Sequence, residues 1–282
     1  MLTGVVLAAT RNPYDAARPT RGMLTFVGLG LYDEASVTVA GRDAIAAADR
    51  VFAEFYTSRL IGTDVAALEA HHDTTIERRD RAGVEQHPEP ILDAAADGDA
   101  VFLTAGDTMI STTHVDLRMR AADRGIDTRV IHAPTAASAA AGLTGLQNYR
   151  FGKATTLPFP WAHGADGVPG SVTDTIEANR ERGLHTLVYL DIKVDHPRVD
   201  GDAYMTASQA ADLLATNWDA DALGVVVARA GAPDATVRAD RLGALADADF
   251  GSPLHLLVVP GSLHHIERDA LRELAGAPAD AL

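Results

Sequence analysis

Three short stretches hold the residue types and spacings that could bind or act on a ligand: Gly28-Leu29-Gly30-Leu31, Ala105-Gly106-Asp107 and His132-Ala133-Pro134-Thr135. Gly28 and Gly30 read like the opening of a dinucleotide-binding turn, in which glycine lets the backbone approach a pyrophosphate. The third glycine of that pattern would fall where Asp33 stands, and a carboxylate there opposes a pyrophosphate, so a nicotinamide dinucleotide site is not expected. A bare strand-to-helix turn would use the same glycines. Asp107 has two readings, as a cap for the helix that follows or as an acceptor for a ligand's hydroxyl or ammonium group. His132 and His255 lie in or beside strand-like runs, where a histidine more often satisfies a core than catalyses. His264, His265 and Glu267 resemble a metal cluster in composition only, because adjacent side chains on a helix point about 100° apart. No metal site is expected. There is no serine elbow and no His-Glu-x-x-His sequence, and no spacing singles out a pair of glycosidase carboxylates.

What the unusual turns share is position, since each follows an apolar run. Strands are predicted at 24–27, 50–56, 100–104, 128–131, 184–190, 223–229 and 254–259, and helices at 88–97, 112–124, 173–182, 207–216 and 264–275. Gly98, Gly125 and Gly183 act as helix stops. The alternation is that of α/β domains with largely parallel sheets. Asp191-Ile192-Lys193 and Ala230-Gly231 also follow strand ends. In open parallel sheets ligands bind outside the carboxyl ends of the strands, so these loops are expected to converge. A division at Ala133 and Pro134 predicts an N-terminal α/β domain over 23–133 and a C-terminal α/β domain over 134–282, with a ligand cleft between them. Residues 1–22 are expected to form a disordered extension with Met23 as the functional start, because no Lys or Arg precedes the apolar stretch 2–9 as a secretory signal would need.

Composition narrows the class. The 282 residues include no cysteine, which excludes a disulfide scaffold, a thiolate zinc site and an iron–sulfur cluster. Apolar residues make up 47% of the chain with no run of about 18, enough for a core but not for a membrane span. Net charge is −15, with 29 Asp among 39 acids and only Lys153 and Lys193 among 24 bases. Such a surface holds water in concentrated salt, which suggests a salt-adapted cytoplasm, and it repels phosphate backbones, so no nucleic-acid partner is expected.

Read together, the blocks identify a resemblance. FVGLGLYDE (26–34), VFAEFYTS (51–58), FLTAGDTMISTTHVDLRMRA (102–121), VIHAPT (130–135), GLTGLQNYRFGK (142–153), ERGLHTLVYLDIK (181–193), YMTASQA (204–210), VVVARAG (225–231) and FGSPLHLLVVPGSLHHIE (250–267) run in the order of the diphthine synthase family over nearly all of 23–277. Nothing in the family corresponds to the residues before Met23. The resemblance implies two α/β domains of the tetrapyrrole-methylase-like class, with S-adenosyl-L-methionine folded into the cleft between them, and a cytoplasmic homodimer. It implies successive methylation of the amino group of a 3-amino-3-carboxypropyl-histidine on elongation factor 2, giving diphthine. A methyltransferase of the same fold acting on a corrin precursor or on ribosomal RNA is the alternative.

Carried over by motif, Leu31, Asp107, Ile110, Thr135, Ala136, Leu190, Ala230 and His255 are expected to line the cofactor site, with Asp107 anchoring the polar end of the cofactor. The common Pro-Gly-Asp-Pro turn is altered here, with Ala105 and Thr108 in place of both prolines. A sulfonium methyl group is already activated, so the absence of a catalytic triad is expected, and no general base is assigned. Phe159 and Trp161 in the irregular stretch 158–170 either contact the protein substrate or tether the second domain.

Overall fold

The computed structural model describes residues 22–164, 167–194 and 197–282. Except for Gly22, the expected extension lies outside the described residues. The first half builds a sheet from β1 (Met23–Gly28), β2 (Arg50–Glu54), β3 (Ile76–Arg79), β4 (Asp99–Thr104) and β5 (Asp127–Ile131). Its order is β3-β2-β4-β1-β5 and every pairing is parallel.

Each central strand buries both faces, as parallel strands covered by helices do. Phe52, Phe102 and Phe26 lie side by side across β2, β4 and β1 on one face. Val51, Val101 and, two residues on, Ala53, Leu103 and Val27 fill the other. The Phe26 and Phe102 rings meet edge to face at 5.9 Å. Each such side chain contributes roughly 1.5–3 kcal/mol through burial, so this register is strongly fixed.

The second half contains β6 (Thr155–Leu157) and β7 (Thr186–Leu190), a two-stranded ribbon of β8 (Ile192–Lys193) and β9 (Ala203–Tyr204), then β10 (Leu223–Ala228), β11 (Thr236–Arg241) and β12 (His255–Val259). The sheet order is β11-β10-β12-β7-β6. Here the expectation of a largely parallel sheet is corrected: β10 pairs antiparallel with β11 and β12, β12 antiparallel with β7, and only β6 and β7 run parallel. The link 229–235 is too short for a crossover, which takes roughly a dozen residues or more, so β11 returns as a hairpin partner. Val226, Leu257 and Val188 align on one face, and Val225, Val258 and Leu187 on the other.

All seven predicted strands are present, as are helices at Glu89–Asp97, Val115–Asp123, Gly170–Glu181, Ala207–Leu214 and His265–Ala275. The helices Val39–Ala47, Val65–His72 and Ala136–Thr144 were not anticipated. The last is Ala-rich, with too few bulky apolar residues to show a periodic face.

Candidate functional site

The loops after β1 and β4 are tied by two backbone hydrogen bonds, from Gly30 N–H to Gly106 O at 3.2 Å and from Gly106 N–H to Gly30 O at 2.6 Å. Both residues have left-handed φ, +83° and +70°, which only glycine adopts without cost. A Cβ at Gly28 would lie 2.6 Å from Gly106 O and 2.8 Å from Ala133 Cβ. Loop-to-loop approach is therefore what these glycines serve locally.

Asp107 fastens the third loop to the other two. Its Oδ1 accepts from Met109 N–H at 2.9 Å, while Oδ2 accepts from Ala133 N–H at 3.2 Å and from His132 Nδ1 at 2.8 Å. The residue is buried, and most of its acceptor capacity is used inside the chain. His132, expected near a core, instead exposes 70% of its side chain. It ends β5 at the rim, where a polar ring meets water at no loss. Thr135 then caps Ala136–Thr144, its N–H held by the Ser138 hydroxyl at 3.2 Å.

From the second half come the ends of β7, β10 and β12. His255 is buried and complete: Nδ1 accepts from Ala207 N–H at 3.0 Å and Nε2–H donates to Ser252 O at 2.9 Å. Burial holds it neutral by lowering its pKa. Asp191 accepts from Phe159 N–H at 3.0 Å and from Lys193 Nζ at 2.8 Å. The halves meet where Ser111 Oγ–H donates to Tyr189 Oη at 2.9 Å, where Arg59 pairs with Asp202 at 2.8 Å, and where a Cβ on Gly231 would come 2.8 Å from Leu31 Cβ.

Between these elements lies a cavity of about 410 Å³. Leu31, Asp107, Ile110, Thr135, Ala136, Leu190, Ala230 and His255, eight residues spread over 225 positions of sequence, all line it. Three non-glycine residues among those described have positive φ, and two of them, Ser111 at +57° and Arg229 at +53°, are on its wall. Such backbone strain collects at ligand sites.

The volume suits a nucleoside-sized ligand. The wall combines apolar side chains, turns stripped of Cβ atoms and few free charges, which suits a donor with a flat apolar base and a polar tail. Residues fitted for S-adenosylmethionine are thus present. Tyr56, Arg59, Arg81, Thr112 and Tyr204 also line the cavity and were not singled out from sequence, whereas Lys193 belongs to a strand-end loop that was. Tyr56 and Arg59 follow the carboxyl end of β2, so the rule that found the glycine turns would have reached them.

Phe159 and Trp161 stack at 5.1 Å against the second half's core, and the Trp161 carbonyl accepts from Arg198. They tether that half rather than present a free aromatic surface. Glu267, far from the cavity, is engaged by Arg150, His185 and two backbone N–H groups. Among the described residues no group of three or more His, Asp or Glu could hold a metal ion, and no helix is long and apolar enough to cross a membrane.

Comparison with known proteins agrees with the geometry. The model of the tetrapyrrole (corrin/porphyrin) methylases matches residues 23–246. A diphthine synthase of Halorubrum lacusprofundi is 73% identical over 262 residues, covering 92% of this chain and 98% of that protein. A diphthine synthase of Methanocorpusculum labreanum is 51% identical, covering 90% and 99%. A crystal structure of diphthine synthase superposes with a TM-score of 0.83 at 37% identity, covering 92% and 98%. The corrin and ribosomal RNA alternative is not favoured by these matches.

Proposed function

The chain belongs to the tetrapyrrole (corrin/porphyrin) methylases and, within them, to the diphthine synthases, and from that membership we infer what its cavity binds and how it acts. It is an S-adenosylmethionine-dependent methyltransferase of diphthamide biosynthesis, methylating the amino group of 3-amino-3-carboxypropyl-histidine on elongation factor 2. We read residues 23–133 and 134–282 as the two lobes. Leu31, Asp107, Ile110, Thr135, Ala136, Leu190, Ala230 and His255 are taken as the cofactor's walls.

Bound S-adenosylmethionine supplies an already activated methyl group. The chain's own task is to align an uncharged amine and to exclude water, which can supply about 7–11 kcal/mol in favourable cases. Leu31, Ile110 and Leu190 give apolar surface. Asp107 acts by holding three loops in register, more than by offering a free carboxylate, because its oxygens already accept three hydrogen bonds. The single observation that carries the reading is the convergence of these distant residues on one cavity.

The test is incubation with labelled S-adenosylmethionine and elongation factor 2 in unmodified, precursor-bearing and mature forms. Label is expected on the precursor-bearing factor alone, and label on the unmodified factor would refute the assignment. A homodimer is supported by exposed Leu143 and Leu274 on two helices that pack together, and sedimentation in molar KCl checks it. The Asp-rich charge supports a salt-adapted, cytoplasmic enzyme whose activity persists or rises in that medium.

A further inference from the structure

The cavity has two chemically different ends. Across the first sheet, the turns after β5, β1 and β4 supply glycine, alanine and an Asp107 whose carboxylate is already engaged. The turns after β2 and β3 supply Tyr56, Thr57, Ser58, Arg59 and Arg81 to the same wall. Three cations stand at this second end, Arg59, Arg81 and, on the facing ribbon, Lys193, each paired with a carboxylate, Asp202, Glu85 and Asp191 respectively. Asp191 also accepts from the Phe159 N–H.

Hydrogen bonding points the same way. Tyr56 Oη, Arg59 Nε and Thr112 Oγ1 are buried in the cavity wall without a hydrogen-bond partner among the described residues. All three can donate, and the guanidinium can only donate. Buried donors without acceptors are costly, so a folded chain keeps a set of them where a ligand supplies the acceptor. Burial, with Glu54 and Glu85 nearby, pushes the Tyr56 phenol up, so it remains a donor at neutral pH. Arg81 lies 4.7 Å over the Tyr56 ring and holds it in place. Arg59 is moored by Nη2 to Asp202 at 2.8 Å, an oxygen that also accepts from Tyr204 at 2.9 Å. This end also opens outward, since Tyr56, Arg81, Ile192 and Lys193 are shared with an adjoining cavity of about 770 Å³ whose lining also includes Arg78, Arg79 and Asp80.

Resting on the methyltransferase reading, we propose that Tyr56, Arg59 and Thr112 bind the α-carboxylate of the substrate's 3-amino-3-carboxypropyl group, turning its amino group toward the glycine-turn end. With Nη2 engaged by Asp202, Arg59 Nε–H offers the carboxylate one charge-assisted hydrogen bond beside the Tyr56 and Thr112 hydroxyls. The guanidinium also offsets the Asp202 carboxylate, which alone would favour the ammonium form of the neighbouring amine, and the nitrogen must be uncharged to accept a methyl group. One side chain then serves recognition and keeps the nucleophile deprotonated.

The variants Arg59→Gln, Arg59→Lys, Tyr56→Phe and Thr112→Val test this. For Arg59→Gln, KM for precursor-bearing elongation factor 2 should rise about tenfold or more, the loss of one good charge-assisted hydrogen bond. Adenosylhomocysteine affinity by calorimetry should stay unchanged, and the acidic limb of the kcat/KM profile should move to higher pH. Arg59→Lys should restore part of the KM and all of the pH shift. Tyr56→Phe and Thr112→Val should raise KM severalfold without loss of stability, because each removes an unpaired donor.

An unaltered KM in Arg59→Gln, or a parallel loss of adenosylhomocysteine affinity, would overturn the assignment. A second probe separates it from the parent reading. 2-Aminobutyrate, the free end of the substrate side chain, should displace backbone or side-chain resonances of the intact enzyme at this end, whereas 2-aminobutanamide should not. If the wild-type enzyme labels no form of elongation factor 2, the methylation reading fails, and this titration still decides the carboxylate site.

Discussion

Each half of the molecule buries a glutamate against a histidine, and the two pairs are wired in opposite senses. In the second half Glu267 Oε1 accepts from Gln147 N–H at 3.0 Å and from His185 Nε2 at 3.0 Å, while Oε2 accepts from Arg150 at 2.8 Å and from His264 N–H at 2.8 Å. His185 Nδ1 accepts from Gly261 N–H at 3.1 Å, so Nε2 must carry the proton it gives to Glu267. In the first half His114 Nδ1 faces the Thr108 carbonyl at 3.2 Å and has to be the protonated nitrogen. Its Nε2 then points a lone pair at Glu54 Oε1, 3.4 Å away, and makes no hydrogen bond. Backbone partners set the tautomer, and the tautomer decides whether a carboxylate beside it is a clamp or an adjacent acceptor. The closed pair staples a helix N-terminus far from the cavity. In the open pair Glu54 lies two residues before Tyr56, which lines the cavity.

The sharpest way to break this contrast is to remove each carboxylate. Glu267→Ala leaves Arg150 Nη1, a ring N–H and two backbone N–H groups without an acceptor and the guanidinium without its counter-charge, and should cost about 3–5 kcal/mol in urea denaturation. Glu54→Ala strips only the N–H groups of Tyr56 and Thr57 and the Thr57 hydroxyl, with no charge abandoned, and should cost less.

An amide sharpens the comparison further. In Glu267→Gln either placement of the NH₂ meets two donors, and a loss of about 1–3 kcal/mol is expected. In Glu54→Gln the amide oxygen can keep the Tyr56 and Thr57 N–H groups at the Oε2 position, while the NH₂ donates to His114 Nε2 and the Thr57 hydroxyl turns to accept. The expected change is within about 1 kcal/mol, and the His114 ring resonances should report a new hydrogen bond. Equal losses in the two amide variants would show that the tautomers are not wired as described.

The two halves also differ in how much their sequences revealed. Unbroken apolar runs located β1, β2 and β4, because a strand buried on both faces carries no competing pattern. The same runs concealed direction in the second half, where β10 and β12 look alike yet pair antiparallel, while the short link 229–235 speaks only for the return of β11 beside β10. β11 escaped because Thr236-Val-Arg-Ala-Asp-Arg is an edge strand with polar residues on its open side. At the site, positions after strand ends were legible from topology, and the motif blocks supplied eight lining residues. Roles were less legible: Asp107 and His255 stand where expected, but their side chains bond to this chain's own backbone, and no spacing in the sequence encodes that. Arg59 meets Asp202 across 143 positions, a contact that exists only after both halves have folded.

The smallest expected effect concerns protons. Burial lowers the pKa of His185 and of His114, so both are neutral in the folded chain near pH 7. Unfolding returns them to about 6.5. Below that value the unfolded chain binds more protons than the folded one, so stability is full above it and is lost as pH falls toward the depressed folded values. Each histidine can contribute a slope of at most about 1.4 kcal/mol per pH unit. The two differ in what a proton does on arrival. At His185 it must displace the Gly261 N–H from Nδ1, the only lone pair left, so the folded state resists it. At His114 it lands on Nε2 facing Glu54 and converts a lone-pair contact into a charged hydrogen bond, which the folded state tolerates. His185→Gln should therefore remove more of the acid slope of urea midpoints between about pH 7 and 5.5 than His114→Gln does, and the reverse order would mean that the open pair, not the closed one, governs acid sensitivity.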